Sequence, residues 1–246
     1  TLQDLEGDRV DETTDLFDSY TIRQPYDTAA TCSLVHYDAP TGTAVFQIQI
    51  TQWGGHRIEG SKITFQVQEF LSHKTVYDDV EIPLSMSSLD QAQTQTVDNI
   101  TGCSGAAVSE DVVSVLCPGA PMKEFPVRGI DVTAAGYVDG QLHVQTAVRD
   151  ALQNDNHGFL QLQGREGERL EALYTVSFCN QWESEGRVDY QEFVFDVPEA
   201  EIGQYQLIGT FTTSGMRTEG SWSVTFPMTN MEAQSLESTS PMQKIH

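Results

Sequence analysis

The 246-residue sequence contains no run of about 18 apolar residues, the length that a helix needs to cross a membrane. It also has little positive charge, because 13 Lys and Arg residues stand against 36 Asp and Glu residues, for a formal net charge of −23. A surface this acidic repels nucleic-acid phosphates and anionic lipid head groups, so neither is expected as a direct partner. Solubility is the simplest interpretation of the charge, and divalent-cation binding is the alternative.

Cysteine is scarce as well, with only four residues at positions 32, 103, 117 and 179. Their spacing matches neither a zinc site nor the dense disulfide framework of a small secreted domain. Cys103 and Cys117 are candidates for a disulfide that closes a short loop. Free thiols that serve as small apolar residues are the favoured alternative.

A complete catalytic motif is also lacking. Residues 102–106 (GCSGA) come close to the Gly-x-Ser-x-Gly nucleophile elbow, but Ala106 stands where the last Gly is required. The segment also lacks the strand-to-helix context in which the elbow functions. It is therefore interpreted as a Gly-rich turn, and the chain is not expected to be an enzyme.

No metal or cofactor site is expected either. Residues 150–158 (DALQNDNHG) group oxygen-bearing side chains before a Gly, as calcium loops do, but position twelve counted from Asn154 is Arg165 instead of a carboxylate. A loop between strands is the better interpretation. No two of the six histidines have a metal-ligand spacing, and solvent-facing positions explain them more simply. They lie at positions 36, 56, 73, 143, 157 and 246.

The clearest positive signal is a β-hairpin around Asp139 and Gly140, which separate two runs of alternating apolar and polar residues. Both central residues of a type I′ turn need positive φ, and Asp-Gly supplies it. A two-residue loop pairs Tyr137 with Leu142. The sequence therefore predicts antiparallel β structure here.

A β-bulge is predicted in the first strand of this hairpin. Ile130 and Val132 lie on the opposite parity from Tyr137, so one strand face would mix apolar and polar residues. One extra residue within 134–136 restores the register, with Gly136 supplying the unusual backbone angle.

The rest of the sequence predicts an all-β fold of two tandem antiparallel β-sandwiches. Residues 44–52 alternate between apolar and polar, and similar short strands with turn signals recur along the chain. Three prolines within 118–126 cannot lie inside a sheet, so a domain boundary is placed there. The predicted domains are an N-terminal sandwich at 19–126 and an immunoglobulin-like sandwich at 127–228.

Both ends of the chain are polar. Residues 1–18 hold seven acidic side chains and are interpreted as a solvated tether, and residues 229–246 as a polar, loosely packed tail. The chain begins with Thr1 instead of Met and has no signal sequence, which suggests that an N-terminal part was removed. Any membrane anchor would lie in that missing part.

Tyr205 is predicted to have a structural role. Glu201, Gly203 and Tyr205 alternate just before a strand, as in the tyrosine corner of immunoglobulin-like domains, where the Tyr hydroxyl bonds to upstream backbone.

Two tryptophans are candidates for contact with a ligand or a partner. Exposed Trp on a β-sandwich stacks on sugar rings or fills a pocket of a partner, and Trp53 and Trp182 are the candidates for such exposure. Trp222 alternates with Val224 and Phe226 and is predicted to lie in the core.

Four segments carry a family resemblance: 136–145 (GYVDGQLHVQ), 155–160 (DNHGFL), 190–196 (YQEFVFD) and 220–227 (GSWSVTFP). They resemble Gram-positive membrane-anchored proteins of anti-sigma-factor-like type, whose β-rich ectodomain is uncharacterised. In the first half of the chain only the strand layout and residues 116–119 (LCPG) fit. The resemblance implies an extracytoplasmic region that follows a single transmembrane helix, with a cytoplasmic segment able to hold a sigma factor. It supplies no catalytic residues.

We therefore expect a non-enzymatic sensor or interaction ectodomain at the extracellular face of the cell membrane, with an unknown extracellular ligand or protein partner. A cell-surface adhesin or carbohydrate-binding module is the alternative, and Trp53 and Trp182 motivate it.

Overall fold

The described part of the chain is almost entirely β strand. The computed structural model describes residues 1–5, 7–17, 19–24, 28–55, 60–84, 89, 92–98, 100–105, 113–122, 125–182, 186–228 and 243–245. Its sheets are antiparallel except for one short parallel pair. The predicted all-β, sandwich-like fold class is confirmed.

The strands in chain order are β1 (Leu2–Asp4), β2 (Tyr20–Arg23), β3 (Thr28–Asp38), β4 (Thr43–Gln52), β5 (Lys62–Ser72), β6 (Thr75–Ile82), β7 (Thr94–Val97), β8 (Ile100–Gly105), β9 (Val113–Leu116), β10 (Ile130–Val138), β11 (Gln141–Arg149), β12 (His157–Gly164), β13 (Arg169–Glu171), β14 (Tyr174–Cys179), β15 (Val188–Phe195), β16 (Tyr205–Thr213), β17 (Met216–Pro227) and β18 (Gln243–Ile245). Short 3₁₀ helices lie at Ala39–Thr41, Ala151–Gln153 and Ile202–Gln204.

The chain forms two compact units, and they are not consecutive in sequence. Unit 1 contains residues 1–74 and 214–246, and unit 2 contains residues 75–213. The division predicted at residue 126 differs from this grouping because β6 pairs with β16, and β8 with β14, across that point. The Pro-rich segment is therefore a connection inside unit 2, and proline content alone did not distinguish a connection from a boundary.

Unit 1 contains the sheets β18–β1–β4–β3 and β17–β5–β2. Its core is formed by Leu2, Val10, Leu16, Ala44, Val67 and Phe70. Trp222 packs against this core, with its ring centroid 5.6 Å from that of Phe70, as the alternation in its strand predicts.

The prediction of a solvated tether at residues 1–18 is wrong for the described residues of that segment. Leu2, Val10 and Leu16 are buried in the core of unit 1, and β1 pairs with β4. Acidic side chains order the backbone between these anchors: Asp4 accepts bonds from the backbone N–H and guanidinium of Arg9, and Asp11 accepts the backbone N–H of Thr13. Composition suggested a tether because the three anchors follow no regular period.

The predicted polar tail, residues 229–246, falls mostly outside the described residues. Residues 243–245 form β18, which pairs in parallel with β1. This short pairing differs from the loose tail that was predicted.

Unit 2 is a sandwich of two sheets, β10–β11–β15–β14–β8 and β13–β12–β16–β6. The main core lies between them and combines inward side chains of both sheets. These include Leu142, Val144, Phe193 and Phe195 from the first sheet, and Leu160, Leu162, Leu207 and Phe211 from the second.

A separate two-stranded pair, β7 with β9, packs on the outward face of the first of these sheets. A second, smaller core forms there from Val97, Val115, Val176 and Phe178. Tyr190 stacks on Phe178 with ring centroids 5.0 Å apart. Burial in this region raises the pKa of the nearby Tyr174 hydroxyl, and the carboxylates of Glu192 and Asp139 raise it further.

The hairpin predicted at Asp139 and Gly140 is confirmed. Both residues have positive φ, 51° and 84°, and Tyr137 pairs with Leu142. These angles are those that a two-residue primed turn requires.

The predicted bulge in β10 is present but is centred one residue earlier than expected. The register shifts between Val132 and Ala134, so Thr133 is the extra residue. Gly136 does not supply an unusual backbone angle, since its φ is not positive. It is needed because a Cβ there would lie 2.4 Å from the Cβ of Ala92, closer than two carbon atoms can pack.

Candidate functional site

The strongest candidate for a functional surface is the outward face of the sheet β13–β12–β16–β6 in unit 2. Strand alternation directs Leu160 and Leu162 into the core, and it directs His157, Phe159 and Gln161 outward. The register places Phe159 beside Thr210 of β16, and His157 beside Thr212. Thr212 in turn pairs with Val76 of β6.

An apolar patch lies on this outward face. Phe159 is 63% exposed and Val76 is 59% exposed, although large apolar side chains are normally covered on a sheet. The His157 ring meets the edge of the Phe159 ring, with centroids 6.1 Å apart, and His157 Nδ1 lies 2.8 Å from the Asp155 carbonyl oxygen. We call Val76, His157 and Phe159 the Phe159 patch.

Ordered polar side chains lie on the same face next to the Phe159 patch. Arg169 donates from Nη2 to Asp79 Oδ2 at 2.8 Å and from Nη1 to Gln161 Oε1 at 3.1 Å. Gln161 donates from Nε2 to Glu171 Oε1 at 2.5 Å. Since Arg169 and Asp79 belong to opposite edge strands, this ion pair spans the sheet. It helps to explain why Ile208, an outward residue between them, is only 2% exposed.

A cleft lies at one end of this sheet, where β6 and β16 separate. Their pairing ends at Ile82 and Leu207, and Ile82, the last residue of β6, is followed directly by Pro83, which has no N–H to donate. The cleft has a volume of about 430 Å³. Its lining includes Glu81, Pro83, Leu84, Ile202, Tyr205 and Gln206.

A buried polar network lies on the outward face of the other sheet, beneath β9. Glu192 of β15 is 1% exposed, and its Oε1 lies 2.6 Å from Nδ1 of His143. Its Oε2 accepts the backbone N–H of Leu116 at 2.9 Å and Nε2 of Gln145 at 3.1 Å. Gln145 also donates to the Leu116 carbonyl at 2.8 Å and accepts from Thr133 Oγ1 at 2.8 Å.

These hydrogen bonds hold β9 against the sheet β10–β11–β15–β14–β8. Each of its hydrogen bonds joins groups that would otherwise be buried without a partner, which is the arrangement that makes a polar interior stable. The expectation that all six histidines face solvent is wrong for His143, which is 4% exposed. Alternation along β11 indicated an outward face, and only the β7–β9 pair on top of that face made it interior.

Trp53 and Trp182 are both exposed, at 62% and 53%. Trp53 belongs to unit 1 and Trp182 to unit 2, so each is a separate candidate. Trp182 is held in place by Arg187, whose guanidinium carbon lies 5.7 Å from the ring centroid and whose Nη1 donates to the Trp182 carbonyl at 3.0 Å. A hydrogen bond from Arg187 to Asp189 raises the pKa of the Arg187 guanidinium, so Arg187 stays positively charged. The role of Trp53 and Trp182 in binding stays a prediction.

Tyr205 is half-buried, packs against the main core of unit 2 and lines the cleft. Its role as a tyrosine corner stays a prediction.

The four cysteines are free thiols, as favoured over the disulfide. The Gly-rich turn predicted at residues 102–106 is wrong for 102–105, which lie in β8 and pair with β14; Ser104 there meets the Thr175 hydroxyl at 2.7 Å, a contact between paired strands.

The loop interpretation of residues 150–158 is confirmed for 150–156, which connect β11 to β12 through the 3₁₀ helix Ala151–Gln153, while His157 and Gly158 are the first residues of β12. Among the described residues, no three His, Cys, Asp or Glu side chains form a group that could hold a metal ion. In the same residues, no helix is long and apolar enough to span a membrane.

Comparison of the chain with protein-family models, with curated proteins and with solved structures gave no match. The resemblance to anti-sigma-factor-like proteins therefore depends on its sequence motifs alone.

The Phe159 patch was not singled out from the sequence, although one signal for it was present. Along β12 the apolar residues Leu160 and Leu162 occupy one parity, and Phe159 occupies the other. An aromatic residue on the polar parity of an amphipathic strand is a candidate contact residue. Val76 carries no comparable signal, because β6 reaches this face only through its pairing with β16.

Proposed function

We propose that the chain is a non-enzymatic interaction ectodomain that binds a protein partner through the Phe159 patch. The observation that carries the proposal is the exposed Phe159 ring beside side chains that are already ordered by hydrogen bonds. Aromatic anchors surrounded by a polar rim provide most of the binding energy in protein interfaces. Because the rim side chains need little ordering on binding, the entropic cost of association is reduced.

The charge around the Phe159 patch favours a basic partner. Asp78, Asp79, Glu81 and Glu171 lie on the strands that flank it, and Arg169 is the cation paired among them. The net charge of −23 adds a long-range attraction for positive surfaces. We therefore expect a partner that receives the Phe159 ring in an apolar pocket, or packs an apolar side chain against it. Lys or Arg residues of the partner should surround this contact.

The same proposal places the chain outside the cell, as the ectodomain of a membrane-anchored, anti-sigma-factor-like regulator. Its support is the motif resemblance, and one of the motifs, residues 155–160, contains Phe159. The complete open reading frame tests this part. A transmembrane helix before Thr1 and a cytoplasmic segment before that helix are expected, whereas a signal peptide without a transmembrane helix would contradict the regulator.

Photo-cross-linking in the native host tests the interaction surface. A benzoyl-phenylalanine in place of Phe159 should give one discrete protein adduct after irradiation of intact cells. The same group in place of Thr101, an exposed residue of β8 in the other sheet, is the matched control. Identical adducts at both positions, or an adduct at Thr101 alone, would show that the Phe159 patch is not the interface.

A second candidate function is that of an adhesin or carbohydrate-binding module, which the exposure of Trp53 and Trp182 favours. Binding of a glycan or a host protein at either ring should change Trp fluorescence. No change across a broad glycan panel would contradict sugar binding at these two rings.

A further inference from the structure

In the buried polar network beneath β9, one threonine hydroxyl lies against a side-chain amide. Thr133 Oγ1 donates to Oε1 of Gln145 at 2.8 Å, and both residues are buried. A hydroxyl oxygen at this distance from the amide oxygen lies about 3 to 4 Å from the amide carbon, because the C=O bond is short. That range includes the separation from which a nucleophile attacks a carbonyl carbon. The pair therefore places a nucleophile and an electrophile close to a reactive geometry.

The Gln145 amide is held in one orientation. Its Nε2 donates to the Leu116 carbonyl at 2.8 Å and to Glu192 Oε2 at 3.1 Å, so both of its N–H groups have acceptors and its oxygen is directed at Thr133. Thr133 is the extra residue of the bulge in β10, and a bulge redirects a side chain relative to its strand. Neighbouring strands thus fix both groups in contact.

Glu192 provides a proton-transfer group at the amide nitrogen. Its Oε2 accepts from Nε2 of Gln145, and its Oε1 lies 2.6 Å from Nδ1 of His143. An amide nitrogen leaves as ammonia only after it has taken up one more proton. A carboxylate in hydrogen-bonding contact with that nitrogen is placed to deliver the proton.

We propose that Thr133 and Gln145 join in an intramolecular ester bond. Thr133 Oγ1 attacks Cδ of Gln145, and the hydroxyl proton passes to the amide oxygen to which it is already hydrogen bonded. Glu192 then relays this proton to Nε2, the Cδ–Nε2 bond breaks, and the carbonyl group forms again. One C–O bond forms, one C–N bond breaks and one ammonia molecule leaves. The reaction therefore needs no oxidant, reductant or other reactant.

The surroundings compensate for the weak reactivity of the two groups. A threonine hydroxyl is a weak nucleophile, but groups held in contact can react with an effective concentration of about 10⁵ to 10⁸ M. The reaction occurs once in each molecule, so a slow rate is sufficient. Burial of Thr133, Gln145 and Glu192 keeps water away and protects the ester from hydrolysis.

Mass spectrometry of the full, unsubstituted chain tests the proposal. Trypsin releases residues 129–149 as one peptide, which contains both reacting residues and no Asn, whose succinimide would also form with loss of ammonia. The peptide should be lighter than its sequence by one ammonia molecule and should give no backbone fragments from cleavage between Thr133 and Gln145. Hydroxylamine should open the ester, leaving a hydroxamate at Gln145 and a free Thr133 hydroxyl.

Two variants at neighbouring threonines sharpen the test. Thr133→Val keeps the shape of the side chain but removes the nucleophile, so the mass deficit should disappear completely. Thr146→Val is the matched control: Thr146 is a buried threonine of the same hairpin whose Oγ1 donates to the Gln191 carbonyl at 3.4 Å, and the deficit should remain.

The unsubstituted chain alone can overturn the proposal, whether or not the variants fold. A peptide 129–149 with the full mass of its sequence would show that Thr133 and Gln145 share only a hydrogen bond. A deficit that persists in Thr133→Val would assign the ammonia loss to another residue. Neither result would affect a protein adduct at residue 159, so the ester and the proposed protein interface fail separately.

Discussion

In unit 2, the outward face of the sheet that contains β11 lies beneath the β7–β9 pair, whereas the outward face of the sheet that contains β12 meets solvent. The covered face carries polar residues in its interior, among them His143, Gln145 and Glu192. The open face carries an exposed aromatic residue, Phe159. The covered face thus holds polar side chains that are usual on an exposed face. The open face holds an aromatic side chain that is usual on a covered one.

The two exceptions have different physical meanings. Buried polar groups are tolerated because each finds a hydrogen-bonding partner, so the covered face contributes specificity of packing. Phe159 is 63% exposed, so it forgoes part of the roughly 1.5 to 3 kcal/mol that full burial of such a side chain provides, and its edge contact with the His157 ring covers it only partly. Hydrogen bonding within the fold therefore explains the polar residues of the covered face, whereas the proposed protein interface would explain the exposed ring on the open face.

Removal of the Glu192 carboxylate should have the largest effect on this contrast. Glu192→Ala leaves His143, Gln145 and the Leu116 N–H without a shared acceptor, and we expect a loss of about 3 to 5 kcal/mol in the free energy of unfolding. Urea denaturation measures it, and faster hydrogen exchange in Val113–Leu116 would locate the damage at β9. Glu171→Ala on the open face is the control and should change stability by less than about 0.5 kcal/mol. Equal losses in both variants would contradict the distinction between the faces.

Overpacking at Gly136, where β10 approaches Ala92, should have the next largest effect. Gly136→Ala brings a Cβ to 2.4 Å from the Cβ of Ala92 and to 3.1 Å from the carbonyl oxygen of Leu89, so we expect a cost of about 1 to 3 kcal/mol. Gly102→Ala is the matched control in the same sheet, since nothing lies within 4 Å of its Cβ position and its φ is not positive. Thermal unfolding of both variants decides the point. If Gly136→Ala unfolds at the same temperature as Gly102→Ala, the close approach is not a constraint.

Alkaline pH should produce a smaller effect on the covered face. The pKa of Tyr174 is raised in the folded state by burial and then by Glu192 and Asp139, so the folded chain holds its proton more tightly than the unfolded chain does. This contribution to stability is complete below the unfolded tyrosine pKa of about 10 and is lost as pH rises through the higher folded pKa.

Tyr174→Phe measures that contribution. Between pH 9 and 11, as a rough window around the tyrosine pKa, the urea midpoint of the unsubstituted chain should fall more steeply than that of the variant. Tyr37, Tyr137 and Cys32 also have raised pKa values, so both proteins should lose some stability. Parallel curves for the two proteins would rule out a contribution from Tyr174.

The smallest effect on stability should come from the open face. Phe159→Ser is expected to change the free energy of unfolding by less than about 0.5 kcal/mol, because the ring is mostly in solvent. The variant should nevertheless prevent recovery of the protein partner that cross-linking at position 159 identifies. A substantial loss of stability would instead indicate that the ring has a structural role.

The sequence predicted those features that depend on neighbouring residues. Asp139 and Gly140 defined a turn because positive φ is a local backbone requirement, and alternation defined the strands. The bulge was placed within one residue of Thr133 for the same reason. The positions of the apolar residues along β10 predicted that a bulge is present, but the exact position of the bulge depended on how β10 packs.

Features that require distant partners were not predictable in the same way. The division at residue 126 failed because pairing of β6 with β16 joins residues far apart in sequence. The burial of Leu2, Val10 and Leu16 was missed because an acidic segment without period gives no sign of the surface it packs on. The cleft likewise needs β6 and β16 to meet, although Pro83 by itself marks the end of a strand.

The sequence by itself determined the all-β class, the turn at Asp139 and Gly140, and the identity of the inward face of each clear strand, because alternation and turn chemistry act over a few residues. Only the tertiary structure decided which outward face was covered. His143 and Phe159 both lie on outward-facing positions of amphipathic strands, and one is buried while the other is exposed. The physical reason is that a third layer, the β7–β9 pair, covers one sheet and leaves the other open.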